Sequence, residues 1–552
     1  MLARGAAVSG TRLDRVPANT VRGRLLESAR AEWFRLGVWT IAAGLGTFLL
    51  VAAARWPAHE DETLAFFVSR QPLGDLFSTV IEERGGAPLH FLLAHALGAV
   101  WPSLFAVRLI SVVFAVASIP VIAALSARLT DRRTALIATA IAAASWMVVY
   151  HGVYARMYAL FLFTSALSFL LLLRALERPG WVHWAAWSLA TLAAIATQPY
   201  GVFVLAICAV FVLVGRIWNG SPLRPALVSI GAVTVAALPL WLVYRVLAER
   251  FDIGVTGSTA SRLGSPVDVL AYLWNVAGDF TVGWTPALAI VVLVALVGLA
   301  DLARSRPTPA AFAAAVFLVP TIALIVTRSG NIVLLESRHL IFALPFFATV
   351  VAAGLVRLAR VARPRGALVA IPLAVLLAGE IAWGWNRMPW TYGGEPEARR
   401  AAREDASAWL AATGRPDDVL FGYEPLYLDA LEKGAPFGEL IVQRADANLA
   451  LDTLAEAPKP LGHGVWVLDA GEYPDAPPPR HPVANVSLGP AFETRAFGPF
   501  LVVRTTEPVG NAVTFMRATA IVELEGMIIG VGDASLNRRT AAAALDLLRT
   551  RD

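Results

Sequence analysis

The densest run of chemistry-bearing residues is His59-Glu60-Asp61-Glu62, three consecutive carboxylates behind a histidine. Carboxylates crowded at the edge of an apolar phase repel one another and lose water, which raises the pKa of at least one of them. A carboxyl group tuned in that way suits general-base work, while the bland alternative is a solvated acidic loop. Three arginines, Arg108, Arg156 and Arg338, stand singly at the edges of apolar runs far apart in the chain. Guanidinium binds phosphate oxygens in bidentate fashion, so convergence of the three would create a site for an anionic headgroup beside the acidic run. Taken alone, each arginine reads as a snorkelling anchor. His59, His90, His95, His151 and His339 fall in the same places, and none of them pairs at the i,i+4 spacing of a helical zinc site, so hydrogen bonding is their expected role.

These residues need a scaffold, and composition says which kind. Of 552 residues, 57% are apolar and 16% charged, whereas a soluble domain usually carries about 25% charged residues. A polytopic membrane protein is therefore expected in preference to a purely cytosolic globular enzyme, and disorder and collagen-like structure are excluded. The single cysteine, Cys208, rules out an intramolecular disulfide or a cysteine metal cluster. Eleven apolar runs are candidates to cross the bilayer, near Leu36–Ala54, Leu109–Leu125, Ala135–Tyr150, Met157–Leu173, Trp184–Thr197, Tyr200–Val214, Ala226–Val243, Trp284–Ala300, Ala310–Val326, Leu340–Val356 and Ala367–Trp385. Some 35 polar and basic residues precede the first run, which makes it a membrane anchor rather than a cleaved signal.

The net charge of +5 conceals two opposite halves. Residues 1–385 hold 30 basic and 18 acidic side chains, while residues 386–552 hold 16 and 23. Arginine collects in alternate connections, at residues 1–35, Arg128/Arg132/Arg133, Arg174/Arg178, Arg216/Arg224, Arg304/Arg306 and Arg357–Arg365. Arginine in short loops marks the cytoplasmic side, so the N-terminus is expected inside and the tail outside. The basicity thus belongs to the membrane and not to nucleic acid. The first outer loop, residues 55–104, then carries the acidic run, and Arg108, Arg156 and Arg338 share its side of the membrane.

The division is into a cytoplasmic segment 1–35, a transmembrane catalytic part 36–385 and an extracytoplasmic α/β domain 386–552. In the tail an amphipathic stretch, Glu397–Ala411, precedes β-like runs at Asp418–Gly422, Glu439–Val442, Val465–Leu468, Ala484–Leu488 and Phe500–Arg504, and a last helix is expected near Thr540–Arg549. Within the first outer loop, Leu89–His95 is too short to cross and is expected to lie along the interface.

Several of these segments resemble a known group. Asp61-Glu62, Pro88-Leu89-His90-Phe91-Leu92-Leu93-Ala94-His95, Phe105-Ala106-Val107-Arg108-Leu109, Ala155-Arg156-Met157-Tyr158-Ala159-Leu160, Thr197-Gln198-Pro199-Tyr200-Gly201 and Ser337-Arg338-His339-Leu340 are similar in order and placement to bacterial GT-C glycosyltransferases. Within that superfamily the dolichyl-phosphate-mannose-type protein mannosyltransferases (family 39) and the aminoarabinose transferases are the nearest groups. The resemblance covers residues 36–385. It implies a polyprenyl-phosphate-sugar donor, a cell-envelope acceptor (glycan, lipid or protein) and catalysis on the extracytoplasmic face of the plasma membrane.

Carried onto this chain, the resemblance makes Asp61 the candidate base and Glu62 the second, with Arg108, Arg156 and Arg338 as ligands of the lipid phosphate. His59, Glu60, His95, Tyr158, Tyr200 and His339 are candidates to line the site, His95 because it matches a family position. The chain departs from the pattern at His59-Glu60, where an aromatic residue is usual, at Gln198 in place of histidine and at His339 in place of tyrosine. No cofactor is expected, although the acidic pair is of a type that holds a divalent metal in the related oligosaccharyltransferases. The expected reaction is a single displacement with inversion, in which Asp61 takes the acceptor's proton and polyprenyl phosphate leaves as a stable anion. The competing class is a lipid-linked sugar flippase or other transporter. Such proteins carry internal repeats and ionisable groups near the bilayer midplane. Here no repeat is visible, and Glu380 is the main ionisable residue within a run.

Overall fold

A computed structural model describes residues 21–84, 86–178, 180–219, 224–252, 261–328, 334–361, 367–438, 440–442, 447–457, 460–470, 488–530 and 542–547. All eleven apolar runs are helical. The first is α1 (Val21–Arg55), and the outer-loop segment that follows is built from α2 (Glu60–Arg70), α3 (Leu73–Ser78) and α4 (Pro88–Gly98). The bundle continues with α5 (Leu104–Leu129), α6 (Arg132–Ala144), α7 (Trp146–Val153), α8 (Tyr158–Glu177), α9 (Trp181–Thr197), α10 (Gly201–Asn219) and α11 (Arg224–Asp252). It closes with α12 (Pro266–Phe280), α13 (Thr285–Ser305), α14 (Pro307–Arg328), α15 (Leu344–Val361) and α16 (Ala367–Arg387). A two-stranded antiparallel pair, β1 (Ser261–Arg262) and β2 (Leu334–Leu335), joins the segments before α12 and α15.

Among the described residues, eight helices are long and apolar enough to span a membrane, and α6 with α7, bent by 53°, makes a ninth. The difference from eleven lies in α9, with 17 residues, and in α10, whose apolar part is Gly201–Gly215. Both fall short of the roughly 20 residues that a straight crossing needs. Lipid-type faces are plain elsewhere, with Val113, Ile290, Leu293, Leu296 and Ile322 more than half exposed. Helices α13 and α15 cross closely because Gly298 and Gly354 lie at their contact. A Cβ on Gly298 would collide with the carbonyl of Val350, and one on Gly354 with that of Val294.

The bend between α6 and α7 falls at Ser145, whose backbone is extended at φ −56°, ψ 132°. It redirects α7 so that Tyr150 meets Trp56 and Tyr154 meets Asp61, both in the first outer loop. Ser103 caps α5 by accepting from the Ala106 amide at 3.1 Å, which sets where Arg108 stands one turn later.

After α17 (Pro389–Gly393), the tail forms a five-stranded mixed sheet flanked by α18 (Glu397–Thr413), α19 (Pro425–Glu432), α20 (Ala447–Glu456) and α21 (Ala512–Gly530). Its strands are β3 (Val419–Phe421), β4 (Ile441–Val442), β5 (Gly464–Asp469), β6 (Phe492–Phe497) and β7 (Phe500–Thr505), in the order β4-β3-β5-β7-β6. β3 runs parallel to β4 and β5, and β7 antiparallel to β5 and β6. Alternate residues point to opposite faces. Leu420, Val465 and Val502 pack on α18 and α19, while Phe421, Trp466 and Val503 pack with Ala450 of α20 and Phe515 of α21. Both faces are covered, so the tail is an α/β domain. The expected run at Ala484–Leu488 lies almost wholly outside the described residues, and β6, α19, α20 and α21 were not anticipated. Residues 542–547, within the expected last helix, are helical.

This domain rests on the first outer loop. The hydroxyl of Thr63 donates to the carbonyl of Tyr423, the rings of Phe67 and Tyr423 lie 6.1 Å apart, and Leu428 packs with Phe66, Leu104 and Val107.

Candidate active site

The acidic run is the first turn of α2. His59 is its N-cap: Nδ1 accepts from the Asp61 amide at 3.1 Å, and the His59 amide donates to Oε2 of Glu62 at 3.1 Å, closing a capping box. Consecutive helical residues point about 100° apart. Glu62 therefore faces into the bundle while Asp61 faces the turn between α7 and α8.

Glu62 is fully buried, and both its oxygens are occupied. Nε of Arg108 donates to Oε1 at 2.9 Å, a terminal nitrogen of Arg108 donates to Oε2 at 2.7 Å, and the Ala155 amide donates to Oε1 at 2.8 Å. The other N–H groups of Arg108 reach the carbonyls of Ala53 (2.9 Å), Trp56 (2.8 Å) and Pro57 (3.0 Å), which end α1 without helical partners. A guanidinium has five N–H donors. All five of Arg108 are used on protein acceptors, so it has none left for a lipid phosphate. Glu62 likewise lacks a free oxygen for base catalysis. Arg108 neutralises Glu62 at bonding distance, and Arg156 approaches Asp61 from the other side.

Asp61 is half-buried. Its Oδ2 accepts from the Tyr154 hydroxyl at 2.7 Å, and that hydroxyl also lies 3.2 Å from Nδ1 of His59. A terminal nitrogen of Arg156 donates to the Asp61 carbonyl at 3.4 Å. The expected upward pKa shift is not found at Asp61. Burial raises it, but Arg156, His59 and Arg338, together with the Tyr154 hydrogen bond, hold the carboxyl well below the usual carboxylate range. At Tyr154, burial first and Asp61 second push the phenol well above its ordinary value, so it remains a donor.

Arg338 opens a 3₁₀ turn at Ser337–Ala343. A terminal nitrogen donates to Oε1 of Glu336 at 2.7 Å, and the guanidinium stands 5.0 Å from the centre of the Tyr158 ring. Nε of Arg338 and Nε of Arg156 are both buried and make no hydrogen bond. An aromatic wall continues from there. His339 stacks on Tyr200 at 4.9 Å, Tyr158 lies 6.3 Å from His339, and His151 packs 4.7 Å from Tyr158.

The fold therefore brings Asp61, His59, Arg156, Arg338, Tyr158, Tyr200 and His339 to one region. Glu60 heads α2, and its carbonyl accepts from Thr63 at 2.8 Å. His95 is engaged elsewhere, with Nδ1 2.9 Å from the Ser69 carbonyl, where it ties α4 to α2. Tyr154 and His151 were not singled out as site residues. The signal for them was present, since Tyr150, His151, Tyr154 and Tyr158 recur at three- and four-residue spacing and so share a face. His90, buried on α4, is held down to about 3 by burial and then by Arg156, which keeps it neutral.

No family model and no curated protein matches the chain. Solved structures do. ArnT from Cupriavidus metallidurans in the apo state superposes with a TM-score of 0.57 at 16% identity, covering 86% of this chain and 98% of that one. The chain has the GT-C fold. The same ArnT bound to undecaprenyl phosphate gives a TM-score of 0.55 at 15% identity, over 85% of this chain and 97% of that one. The apo oligosaccharyltransferase of Archaeoglobus fulgidus gives 0.51 at 12% identity, over 78% of this chain and 69% of that one. The share of this chain that is covered, 86%, is larger than the part that precedes the tail, so the match reaches beyond the bundle.

Proposed function

We propose that the chain is a membrane glycosyltransferase that moves a sugar from a polyprenyl-phosphate donor to a cell-envelope acceptor with inversion. The observation that carries this reading is the placement of an ionised carboxylate, Asp61, beside two arginines that each keep a buried, unbonded Nε–H. A buried donor without an acceptor costs about 1–3 kcal/mol. Arg156 and Arg338 thus present N–H groups that a phosphate oxygen satisfies. A likeness in fold to an ArnT crystallised with undecaprenyl phosphate supports the same ligand class.

In this reading Asp61 accepts the proton of an acceptor hydroxyl as that oxygen attacks the anomeric carbon. The bond from that carbon to the phosphate oxygen breaks, and polyprenyl phosphate departs against Arg156 and Arg338. The two arginines serve both partners in turn. Without donor they depress the basicity of Asp61, and with a phosphate between them their charge is shared, so the carboxylate recovers proton affinity when there is a sugar to transfer. Tyr154 holds Asp61 in place throughout. Arg108 and Glu62 form the frame that joins the end of α1 to α2 and α5. The site is assigned to the extracytoplasmic face and the N-terminus to the cytoplasm by the arginine pattern of the connections.

The test is transfer by purified protein in nanodiscs, supplied with a panel of polyprenyl-phosphate sugars and envelope acceptors, with the anomeric configuration of products read by NMR. Inverted product that depends on Asp61 supports the reading. Movement of a lipid-linked sugar across liposomes without any transfer replaces it with the flippase.

A further inference from the structure

Opposite the Asp61 end of the bundle lies a cleft of about 270 Å³ between the ends of α5, α8, α10 and α14. Helix α8 separates the two regions, with Tyr158 beside the site and Glu177 at the cleft, at the two ends of a helix of 20 residues, about 30 Å long. The floor is apolar: Leu173, with Phe211 and Phe312 buried and stacked at 4.3 Å. The mouth is polar, formed by Arg128, Glu177 and Thr308.

The charge at the mouth is weakly satisfied. Nε of Arg128 is 3.4 Å from Glu177 Oε1, yet it is buried and makes no hydrogen bond, and Glu177 is 51% exposed. An ion pair of this kind contributes little and exchanges readily. Arg306, exposed just outside the lining and two residues before Thr308, is a second guanidinium beside the mouth, donating to the carbonyl of Thr130 next to Leu129 of the cleft wall. Asp131 and Asp301, two other acids at this end, already face Arg360 at 4.0 Å and Arg357 at 3.4 Å.

An apolar cavity of about 150 Å³ holds a benzene molecule, so this cleft has room for the first methylenes of a lipid chain. Basic pockets between transmembrane helices select anionic headgroups. A zwitterionic lipid would bring its own cation to the arginines, whereas a phospholipid with net negative charge balances two guanidiniums that have one acid, Glu177, between them. We infer that the cleft binds one anionic phospholipid, its phosphate on Arg128 and Arg306 and its chain on the Phe211–Phe312 pair. This site is independent of the proposed transfer chemistry.

The experiment is native mass spectrometry of the purified full-length chain in detergent, titrated with phosphatidylglycerol or phosphatidylcholine, with thermal unfolding in parallel. Wild type is expected to retain one phosphatidylglycerol and to unfold several degrees higher with it, while phosphatidylcholine does neither. Arg128→Gln combined with Arg306→Gln should weaken phosphatidylglycerol binding at least tenfold. Leu173→Trp, which fills the floor and keeps both charges, should do the same, and it serves as the reading if the double variant does not fold. Equal retention of the two lipids, or wild-type phosphatidylglycerol binding by Leu173→Trp, overturns the inference.

Discussion

The hydroxyl of Tyr154 donates to Oδ2 of Asp61 over 2.7 Å, and nothing in the linear order of the two residues, 93 positions apart, announces it. The contact arises because the bend at Ser145 carries α7 toward the first turn of α2. A hydrogen bond to a charged group contributes about 1.5–3 kcal/mol, so Tyr154→Phe should lower kcat about tenfold or more without preventing insertion. Single-turnover kinetics on the variant, with circular dichroism as the control for folding, check this.

Asp61 and Glu62 should separate cleanly. Proton transfer to a positioned base contributes about 10²–10⁴-fold, so Asp61→Asn should lose that much turnover while still folding, with a smaller fall in unfolding temperature than Glu62→Gln because its amide oxygen still accepts from Tyr154. Glu62→Gln leaves Arg108 charged and buried without its counter-ion. Breaking one side of a buried pair costs about 3–5 kcal/mol, so this variant should unfold well below wild type in a detergent melt. Equal melting of the two variants would count against the division of roles.

The pH dependence follows from the direction of the Asp61 shift. Its folded pKa lies below the unfolded value of ~3.9, so its stabilising contribution is complete above that value and is lost as pH falls through the folded pKa. The free enzyme should show no acid limb from Asp61 between about pH 5 and 8 in kcat/KM. Arg156→Gln removes the leading attractive charge and should move that limb upward, together with a higher KM for donor. A pH series on both proteins measures it.

Arginine in short loops predicts the orientation. Reporter fusions at Arg132 and Arg363 should be active in the cytoplasm, and fusions at Gly257 and Gly394 on the outside. An inverted pair would move the site to the other face of the membrane.

Much of the scaffold is legible in the order of residues. Hydrocarbon thickness imposes a length on apolar helices, so their places emerge from the residues alone, while their ends, the bend between α6 and α7 and the short α9 and α10 do not. Short apolar, β-branched and aromatic runs between turn residues likewise marked β3, β4, β5 and β7. Strand β6 was missed because its residues, Phe492–Phe497, are partly exposed at the sheet edge and show no apolar alternation to read. Three arginines at the edges of apolar runs looked equivalent, and the fold made them unequal by spending every donor of Arg108 on Glu62 and the end of α1.

By itself the sequence determined the membrane bundle, the tail domain and the place of the acidic run, because hydropathy and helix or strand period are properties of neighbouring residues. The resemblance ranked Asp61 before Glu62, and tertiary structure supplied the physical reason. Asp61 and Glu62 are adjacent and chemically alike, and one helical step of about 100° turns Glu62 onto Arg108 and Asp61 onto Tyr154 and Arg156. Only the packing of α5 and α7 against α2 places those partners.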